Sequence, residues 1–232
     1  MTDNGFSAVI FDLDGTLIEV DNLRWVGDEL LKRTLRQFGV KRTSSKDRIG
    51  FWFSGGGFLL LLRKWGIKDA ADRRSFLDIL SSNEYDLKKE LMGTGKVRLY
   101  DDADILGKLW GKLKLGLVSN SSLKAVSLEL QYFELSKYFD SVVALGDFRN
   151  NLRPKPEPDG ILRCLNELHE DPSKSIVVGD NETDIIAGEK SGALTALITR
   201  GKRARMKDKM KQKSANTTFQ LSSLTELEEL VL

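Results

Sequence analysis

Short apolar runs and longer amphipathic stretches alternate over the second half of the chain. From residue 102 onward, helical spacing of apolar residues is interrupted at regular intervals by runs typical of buried strands. Helices are predicted at 102–111, 123–133, 158–168, 184–191 and 221–230, and strands at 115–118, 142–145, 176–178 and 195–198, with a last strand near Thr218. Such alternation implies an α/β fold in which parallel strands are joined by right-handed crossovers.

The first half of the chain has a different pattern. Residues 8–11 form an apolar run typical of a buried strand, but the next convincing strand begins only near Leu115. Between them, helices are predicted at 22–38 and at 70–91, the latter with a break near residues 81–83. The intervening material is therefore largely helical.

A helical insertion of roughly eighty residues is longer than the ordinary connections of α/β units. We therefore expect two domains: a core made of residues 1–17 and 98–232, and a helical cap made of residues 18–97. The expected hinges are residues 16–18 and 97–99, where the chain leaves and rejoins the core.

Two carboxylates follow the first predicted strand directly. Asp12 and Asp14 are two positions apart, so in an extended segment both side chains point to the same side. Neighbouring anions repel one another unless a cation or a shared proton lies between them, and Mg²⁺ is a hard cation that prefers oxygen ligands. The pair indicates a metal site, although an isolated Asp-x-Asp is equally compatible with an acidic turn that ends a strand.

Two later strands also end in polar residues. Ser119 and Asn120 follow one of them, and Asp180 follows another, with Asp184 four residues further on. Lys155 lies between these segments in a loop stiffened by prolines. Because ligands bind outside the carboxyl ends of the strands in an open parallel sheet, we expect these groups to meet in one crevice.

These segments resemble, in order, the four motifs of the haloacid dehalogenase superfamily of phosphohydrolases. Residues 12–16 match the first motif, residues 119–120 the second, Lys155 the third and residues 179–184 the fourth. The resemblance covers nearly the whole chain and implies a Rossmann-like core with a helical cap inserted after the first motif. It also implies a Mg²⁺-dependent phosphomonoesterase that hydrolyses a small phosphorylated metabolite through an aspartyl phosphate, similar to phosphoglycolate phosphatases.

The resemblance assigns a catalytic role to each carboxylate of the first motif. Asp12 is the expected nucleophile. Asp14 is expected to protonate the leaving oxygen and then to activate the water that hydrolyses the aspartyl phosphate. Halide-displacing members of the superfamily lack a carboxylate at the second position, since halide departure needs no proton donor. Asp14 therefore favours phosphate chemistry.

The other motif residues are expected to bind. Ser119 and Asn120 would donate hydrogen bonds to the phosphoryl oxygens, and Lys155 would supply positive charge to them and to the nucleophile. Asp184 is expected to orient the waters of the metal or the neighbouring loop. The expected Mg²⁺ ligands are Asp12, Asp14 (through its backbone carbonyl) and Asp180.

Two alternatives to a phosphatase stay open. A sugar-phosphate mutase of the same superfamily shares the motifs, and would show slow hydrolysis of the aspartyl phosphate and a bisphosphate requirement. A non-catalytic member that binds a phosphorylated ligand or a protein partner would not turn over an aryl phosphate with Mg²⁺. Because all four motifs keep their reactive side chains, the enzyme is favoured.

The expected cap contains candidates for substrate contact. The glycines at 55–57 lack the Lys-Ser/Thr ending of a P-loop and are interpreted as a flexible loop over the site. Arg48, Phe51, Trp52 and Ser54 either contact the leaving group or pack and solvate the cap, and neither interpretation is favoured.

Composition and charge limit the remaining classes. The 232 residues carry a net charge of +2, which is too near neutral to indicate a polyanion partner. The eight basic residues between positions 200 and 213 are interpreted as a solvated connection in preference to a nucleic-acid site.

The single cysteine, Cys164, has the helical spacing of a core residue. With no evident targeting segment and no apolar run long enough to span a bilayer, we expect a cytoplasmic protein without membrane contact.

Overall fold

Six parallel strands form the central sheet of the computed structural model, which describes residues 5–53, 57–147, 152–200 and 217–232. In chain order the strands are β1 (Ala8–Phe11), β2 (Ile18–Val20), β3 (Val97–Leu99), β4 (Lys114–Ser119), β5 (Ser141–Ala144), β6 (Ser175–Gly179), β7 (Leu194–Ile198) and β8 (Phe219–Leu221). The sheet order is β5-β4-β1-β6-β7-β8, and every neighbouring pair is parallel. The predicted α/β fold with a Rossmann-like parallel sheet is confirmed.

The helices lie between these strands in the described residues. They are α1 (Leu23–Gln37), α2 (Ser45–Phe53), α3 (Phe58–Lys64), α4 (Ala70–Gly93), α5 (Ile105–Leu109), α6 (Leu123–Tyr132), α7 (Asp159–Leu168), α8 (Glu182–Ser191) and α9 (Glu226–Val231). None of the helices in the described ranges is both long enough and apolar enough to cross a membrane.

The position of β1 explains why the site lies where it does. All four of its residues are completely buried, and it pairs with β4 on one side and with β6 on the other. Phe11 is in register with Leu117 and Val178. The carboxyl ends of β1, β4 and β6 therefore meet at the same edge of the sheet, and the residues that follow them become neighbours.

The helices α1–α4 are inserted between β2 and β3. These two short strands pair antiparallel, with Ile18 opposite Leu99 and Val20 opposite Val97. The chain thus leaves and rejoins the core along a two-stranded ribbon, near the residues expected to act as hinges. The division into a core domain and a cap domain with boundaries at 17/18 and 97/98 stays a prediction.

Three predicted helices differ from those observed. The break near residues 81–83 is wrong, because α4 continues through it: Ser81 and Asn83 are buried and hydrogen-bonded, so their polar side chains serve tertiary contacts rather than a turn. The helix predicted at 102–111 is a 3₁₀ turn at Asp101–Asp104 followed by α5. The tail helix predicted at 221–230 begins only at Glu226, since Leu221 belongs to β8.

Apolar side chains cover both faces of the sheet. Cys164 of α7 lies in the smaller of two clusters of buried residues, together with Ile10 of β1 and Val177 of β6. Burial raises the pKa of the Cys164 thiol to about 12, so it stays protonated and unreactive at neutral pH. The interpretation of this cysteine as a core residue is confirmed.

Candidate active site

Asp12 occupies the centre of the site, directly after β1. Its backbone N–H donates to the Val178 carbonyl oxygen at 2.9 Å, which extends the pairing with β6 by one residue. The Thr16 hydroxyl donates to Asp12 Oδ2 at 3.0 Å. Asp12 is 8% exposed, so its carboxylate is fixed in position and nearly dehydrated.

Lys155 is the cation that neutralises this carboxylate. Its Nζ lies 2.7 Å from Asp12 Oδ1, 2.6 Å from Asp184 Oδ1 and 2.8 Å from the Val118 carbonyl oxygen. Although burial alone would lower it, the pKa of Lys155 is raised above its ordinary value because the two carboxylates stabilise the charged form. The ammonium group therefore stays charged and uses its three hydrogens within the site.

Asn120 holds the Lys155 loop in place. Its Oδ1 accepts from the Lys155 backbone N–H at 2.9 Å, and its Nδ2 donates to the Lys155 carbonyl oxygen at 3.1 Å. Ser119 is buried, and its Oγ accepts from the Ser121 backbone N–H at 3.1 Å. Both predicted phosphate-binding residues thus lie at the site, and Asn120 also positions the lysine.

Asp180 and Asp184 complete a buried acidic cluster with Asp12. One carboxylate oxygen of each lies within 4.8 Å of the others. Burial raises the pKa of Asp12 to about 7 against the opposing charge of Lys155, and the carboxylates of Asp184 and Asp180 add to the rise. Three crowded carboxylates facing one lysine form an oxygen-rich, anionic donor set that fits a hard divalent cation.

Gly15 makes room for this cluster. Its φ of 94° lies in the left-handed region, and a Cβ built on it would stand 2.5 Å from Asp180 Oδ2. Asp184 is held by a reciprocal cap of α8, in which its Oδ2 accepts from the Asn181 backbone N–H at 3.0 Å. Gly15 therefore leaves room for the Asp180 carboxylate, and the capping hydrogen bond holds the Asp184 carboxylate at the start of α8.

The Asp14 side chain points away from the acidic cluster. Its two oxygens accept from Lys88 Nζ at 2.9 and 2.7 Å, and Oδ2 also accepts from the Ser121 hydroxyl at 2.9 Å. The expectation that Asp14 contributes its backbone carbonyl to the metal, with the side chain left for proton transfer, agrees with this orientation and stays a prediction.

Sequence reasoning missed Lys88 and Glu129, which stand behind Asp14. Lys88 of α4 is 4% exposed, and its Nζ lies 2.7 Å from Glu129 Oε2 of α6, a carboxylate that is fully buried. Burial raises the pKa of Glu129 well above its ordinary value. Burial alone would lower the pKa of Lys88, but the carboxylates of Asp14 and Glu129 raise it above its ordinary value. The one available signal was a carboxylate on the apolar face of α6, beside Ala125, Val126 and Leu130.

A cavity of about 540 Å³ connects these groups with the inserted helices. Asp12, Asp14 and Lys155 line one side, and residues of α1, α2 and α4 line the other, among them Trp52. Arg48 lines a different cavity, because Asp28 and Thr43 hold its guanidinium.

The remaining candidates in and near the insertion have different positions. Phe51 is buried and its ring stacks on Trp65, with 6.0 Å between ring centroids. Ser54 and the first two glycines at 55–57 lie outside the described residues, as does the basic segment at 200–213 apart from Arg200. Arg200 is 2.6 Å from Asp102 and lies over the ring of Tyr100.

The parallel sheet, the buried carboxylates and the paired lysine define the class of protein: an α/β protein with a Rossmann-like sheet and a buried acidic centre that could hold a metal ion. The family model of the haloacid dehalogenase-like hydrolases matches residues 9–198. The chain is 31% identical to the pyrophosphatase PpaX of Bacillus velezensis over 196 residues, covering 84% of both proteins. It is 33% identical to the phosphoglycolate phosphatase of Aquifex aeolicus over 196 residues, covering 84% of this chain and 85% of that protein.

Solved structures agree with the fold. CbbY from Rhodobacter sphaeroides, in complex with phosphate, superposes with a TM-score of 0.67 at 20% identity over 96% of each chain. A haloacid dehalogenase superfamily hydrolase from Geobacter sulfurreducens superposes with a TM-score of 0.60 at 17% identity, covering 100% of this chain and 99% of that one. The chain belongs to the haloacid dehalogenase-like hydrolase family, and the prediction of a phosphatase-type enzyme is confirmed.

Proposed function

We propose that this protein is a Mg²⁺-dependent phosphomonoesterase that forms an aspartyl phosphate on Asp12. The observation that supports this most directly is the buried Asp12 carboxylate, with Lys155 at 2.7 Å and with Asp180 and Asp184 close by. A dehydrated, immobilised carboxylate beside a fixed cation is suited to attack phosphorus, because the positive charge also stabilises the phosphoryl oxygens.

Each side chain then has a defined task. Asp12 attacks phosphorus while Thr16 holds its other oxygen. Asp14 gives a proton to the leaving oxygen and later takes one from the attacking water, and Lys88 and Ser121 keep its carboxylate in one orientation. Lys155 stabilises the charge of the phosphoryl oxygens.

The acidic cluster is the proposed Mg²⁺ site. Asp12 and Asp180 would hold the ion through their side chains and Asp14 through its backbone carbonyl, while Asp184 orders the loop after β6. When bound, Mg²⁺ supplies positive charge that offsets the crowded carboxylates and the anionic substrate.

The proposed substrate is a small phosphorylated molecule. Helices α1, α2 and α4 stand over the carboxyl ends of the strands and contribute to the cavity that contains Asp12. The named relatives are a phosphoglycolate phosphatase and pyrophosphatases, all of which act on small phosphorylated compounds. We infer that residues 18–97 form a cap that restricts the site to molecules of this size.

The test is phosphate release from p-nitrophenyl phosphate by EDTA-treated protein, with and without Mg²⁺ added back. We expect turnover only with Mg²⁺, and its loss in Asp12→Asn, because an amide is a poor nucleophile. Asp101→Asn, an exposed acidic residue elsewhere on the chain, is the matched control and should keep wild-type activity. Full activity in Asp12→Asn would refute the assignment.

A further inference from the structure

The lining that α1 and α2 contribute to the cavity is mostly apolar. We call its apolar residues the apolar wall: Leu23, Val26, Leu30, Ile49 and Trp52. Val26 and Leu30 are buried, whereas Trp52 keeps 39% of its surface exposed. A large aromatic side chain that lines a site of this size and keeps part of its surface exposed is typical of a pocket that binds an apolar part of a ligand.

Trp52 is held in a fixed position. Its Nε1 donates to the Gly27 carbonyl oxygen at 3.1 Å, and a Cβ built on Gly27 would stand 2.8 Å from that nitrogen. Glycine is disfavoured inside a helix, yet α1 has one where the indole lies against its backbone. Gly27 therefore lowers the intrinsic stability of α1 but leaves the space that the Trp52 indole occupies.

The two buried cations of the cavity already have carboxylate partners. Lys155 bonds to two carboxylates and a carbonyl oxygen, and Lys88 bonds to Asp14 and Glu129. Arg24, the third cation among the described residues that line the cavity, is exposed.

The buried part of the cavity, away from the exposed Arg24, is therefore poorly suited to a leaving group that carries its own negative charge. Glu84 of α4 adds a carboxylate to the same lining. A buried anion without a partner is costly, so a second phosphate or a carboxylate close to the reacting phosphoryl group would be disfavoured here. An uncharged ring would instead bury apolar surface against Trp52.

We propose that the substrate is a phosphate monoester whose alcohol is uncharged near the phosphate and carries an aromatic or heteroaromatic ring that packs on Trp52. This rests on the proposed function. Asp12 forms a bond to phosphorus, the phosphorus–ester oxygen bond breaks, and the alcohol leaves with the proton of Asp14. Water then hydrolyses the aspartyl phosphate, so that monoester and water give alcohol and inorganic phosphate.

The test compares kcat/KM for 2-phenylethyl phosphate, ethyl phosphate, phosphoglycolate and pyrophosphate with Mg²⁺. The first two alcohols are similar leaving groups, so their ratio reports binding of the ring. We expect 2-phenylethyl phosphate to exceed each of the others at least about tenfold. In Trp52→Ala the ratio of kcat/KM for 2-phenylethyl phosphate to that for ethyl phosphate should fall toward one. In Trp52→Phe this ratio should lie between the wild-type value and that of Trp52→Ala. Trp110→Ala, which removes an exposed indole outside the cavity, should keep the ratio.

The outcomes separate the two proposals. Faster hydrolysis of phosphoglycolate or pyrophosphate would overturn the ring-bearing substrate and leave the phosphatase intact. An unchanged ratio in both Trp52 variants would overturn it as well. No hydrolysis of any compound with Mg²⁺ would refute the proposed function, and the substrate proposal with it. If Trp52→Ala does not fold, the test rests on Trp52→Phe, which keeps an aromatic residue in the same place. A reduced ratio of 2-phenylethyl to ethyl phosphate in that variant supports the ring-bearing substrate, and an unchanged ratio overturns it.

Discussion

At the scale of single residues, the central feature is the chain of charges from Asp14 through Lys88 to Glu129. Lys88 Nζ lies 2.7 Å from an oxygen of each carboxylate, and Glu129 Oε1 has no hydrogen-bond partner among the described residues. A buried charge that loses its only partner destabilises a protein strongly, whereas removal of both charges together is often tolerated. The stability role and the positioning role of Lys88 can therefore be separated by mutation.

We predict that Lys88→Met lowers the free energy of unfolding by about 3–5 kcal/mol, because Glu129 is left buried and unpaired. The double variant Lys88→Met/Glu129→Gln should regain most of that stability but not the activity, since Asp14 still lacks its partner. Urea unfolding and phosphate release measure the two effects. Lys89→Met, an exposed neighbour on α4, is the control. Wild-type kcat in the double variant would show that Lys88 does not position Asp14.

Residues in local motifs were predictable, and residues that depend on distant partners were not. Asp12, Asn120 and Asp180 follow strand ends that are visible as apolar runs, so their convergence follows from sheet topology. Lys88 and Glu129 are 41 positions apart on two helices, and nothing local to either position indicates the pairing. Asn120 lies at the carboxyl end of β4, which its position after an apolar run predicts, but its two hydrogen bonds to the Lys155 backbone depend on the folded loop.

At the scale of elements, hydrogen bonds from α4 connect the inserted helices to the core. Its Glu84 Oε2 accepts from the Ser122 backbone N–H at 2.9 Å, at the start of α6. Its Ser81 hydroxyl donates to Asp147, whose other oxygen accepts from the Leu123 backbone N–H. These contacts satisfy N–H groups that a helix start leaves without an intrahelical partner.

Replacement of Glu84 should loosen this junction. In Glu84→Ala the Ser122 N–H loses its acceptor, at a cost of about 1–3 kcal/mol if it stays buried. Hydrogen exchange followed by mass spectrometry should then show faster exchange in peptides that cover residues 120–126. Glu90→Ala, which removes an exposed partner of Arg33 from the same helix, is the control. Equal exchange in the two variants would contradict this role of α4.

The elements that sequence patterns missed are short or hidden by polar residues. The strands β2 and β3 have three residues each, too few to show a period of two, and their pairing joins segments far apart in the chain. The polar stretch at 81–83 resembles a helix break because the sequence does not show whether polar side chains form a turn or make buried hydrogen bonds to distant residues, as Asn83 does.

At the scale of the whole molecule, an inserted helical segment stands over the carboxyl ends of a parallel sheet. The ribbon of β2 and β3 provides its connection, and the cavity between the two parts contains the proposed nucleophile. If residues 18–97 act as a cap, they exclude bulk water from the aspartyl phosphate and limit substrate size.

A phosphopeptide should therefore be a poor substrate. We expect its kcat/KM to be lower than that of the best small monoester by at least about a hundredfold, a difference of about 2.7 kcal/mol. The comparison requires both compounds in the same Mg²⁺ buffer and the same phosphate assay. Comparable values for the two substrates would contradict a closing cap.

The central claim, a phosphoryl group carried by Asp12, is tested most directly by trapping it. The enzyme is mixed with Mg²⁺ and 2-phenylethyl or p-nitrophenyl phosphate, quenched in acid within milliseconds, reduced with borohydride and digested for mass spectrometry. We predict homoserine at position 12, and none without Mg²⁺ or in Asp12→Asn, because only an acyl phosphate is reduced in this way. Reduction at another residue, or none while phosphate is being released, would contradict the account.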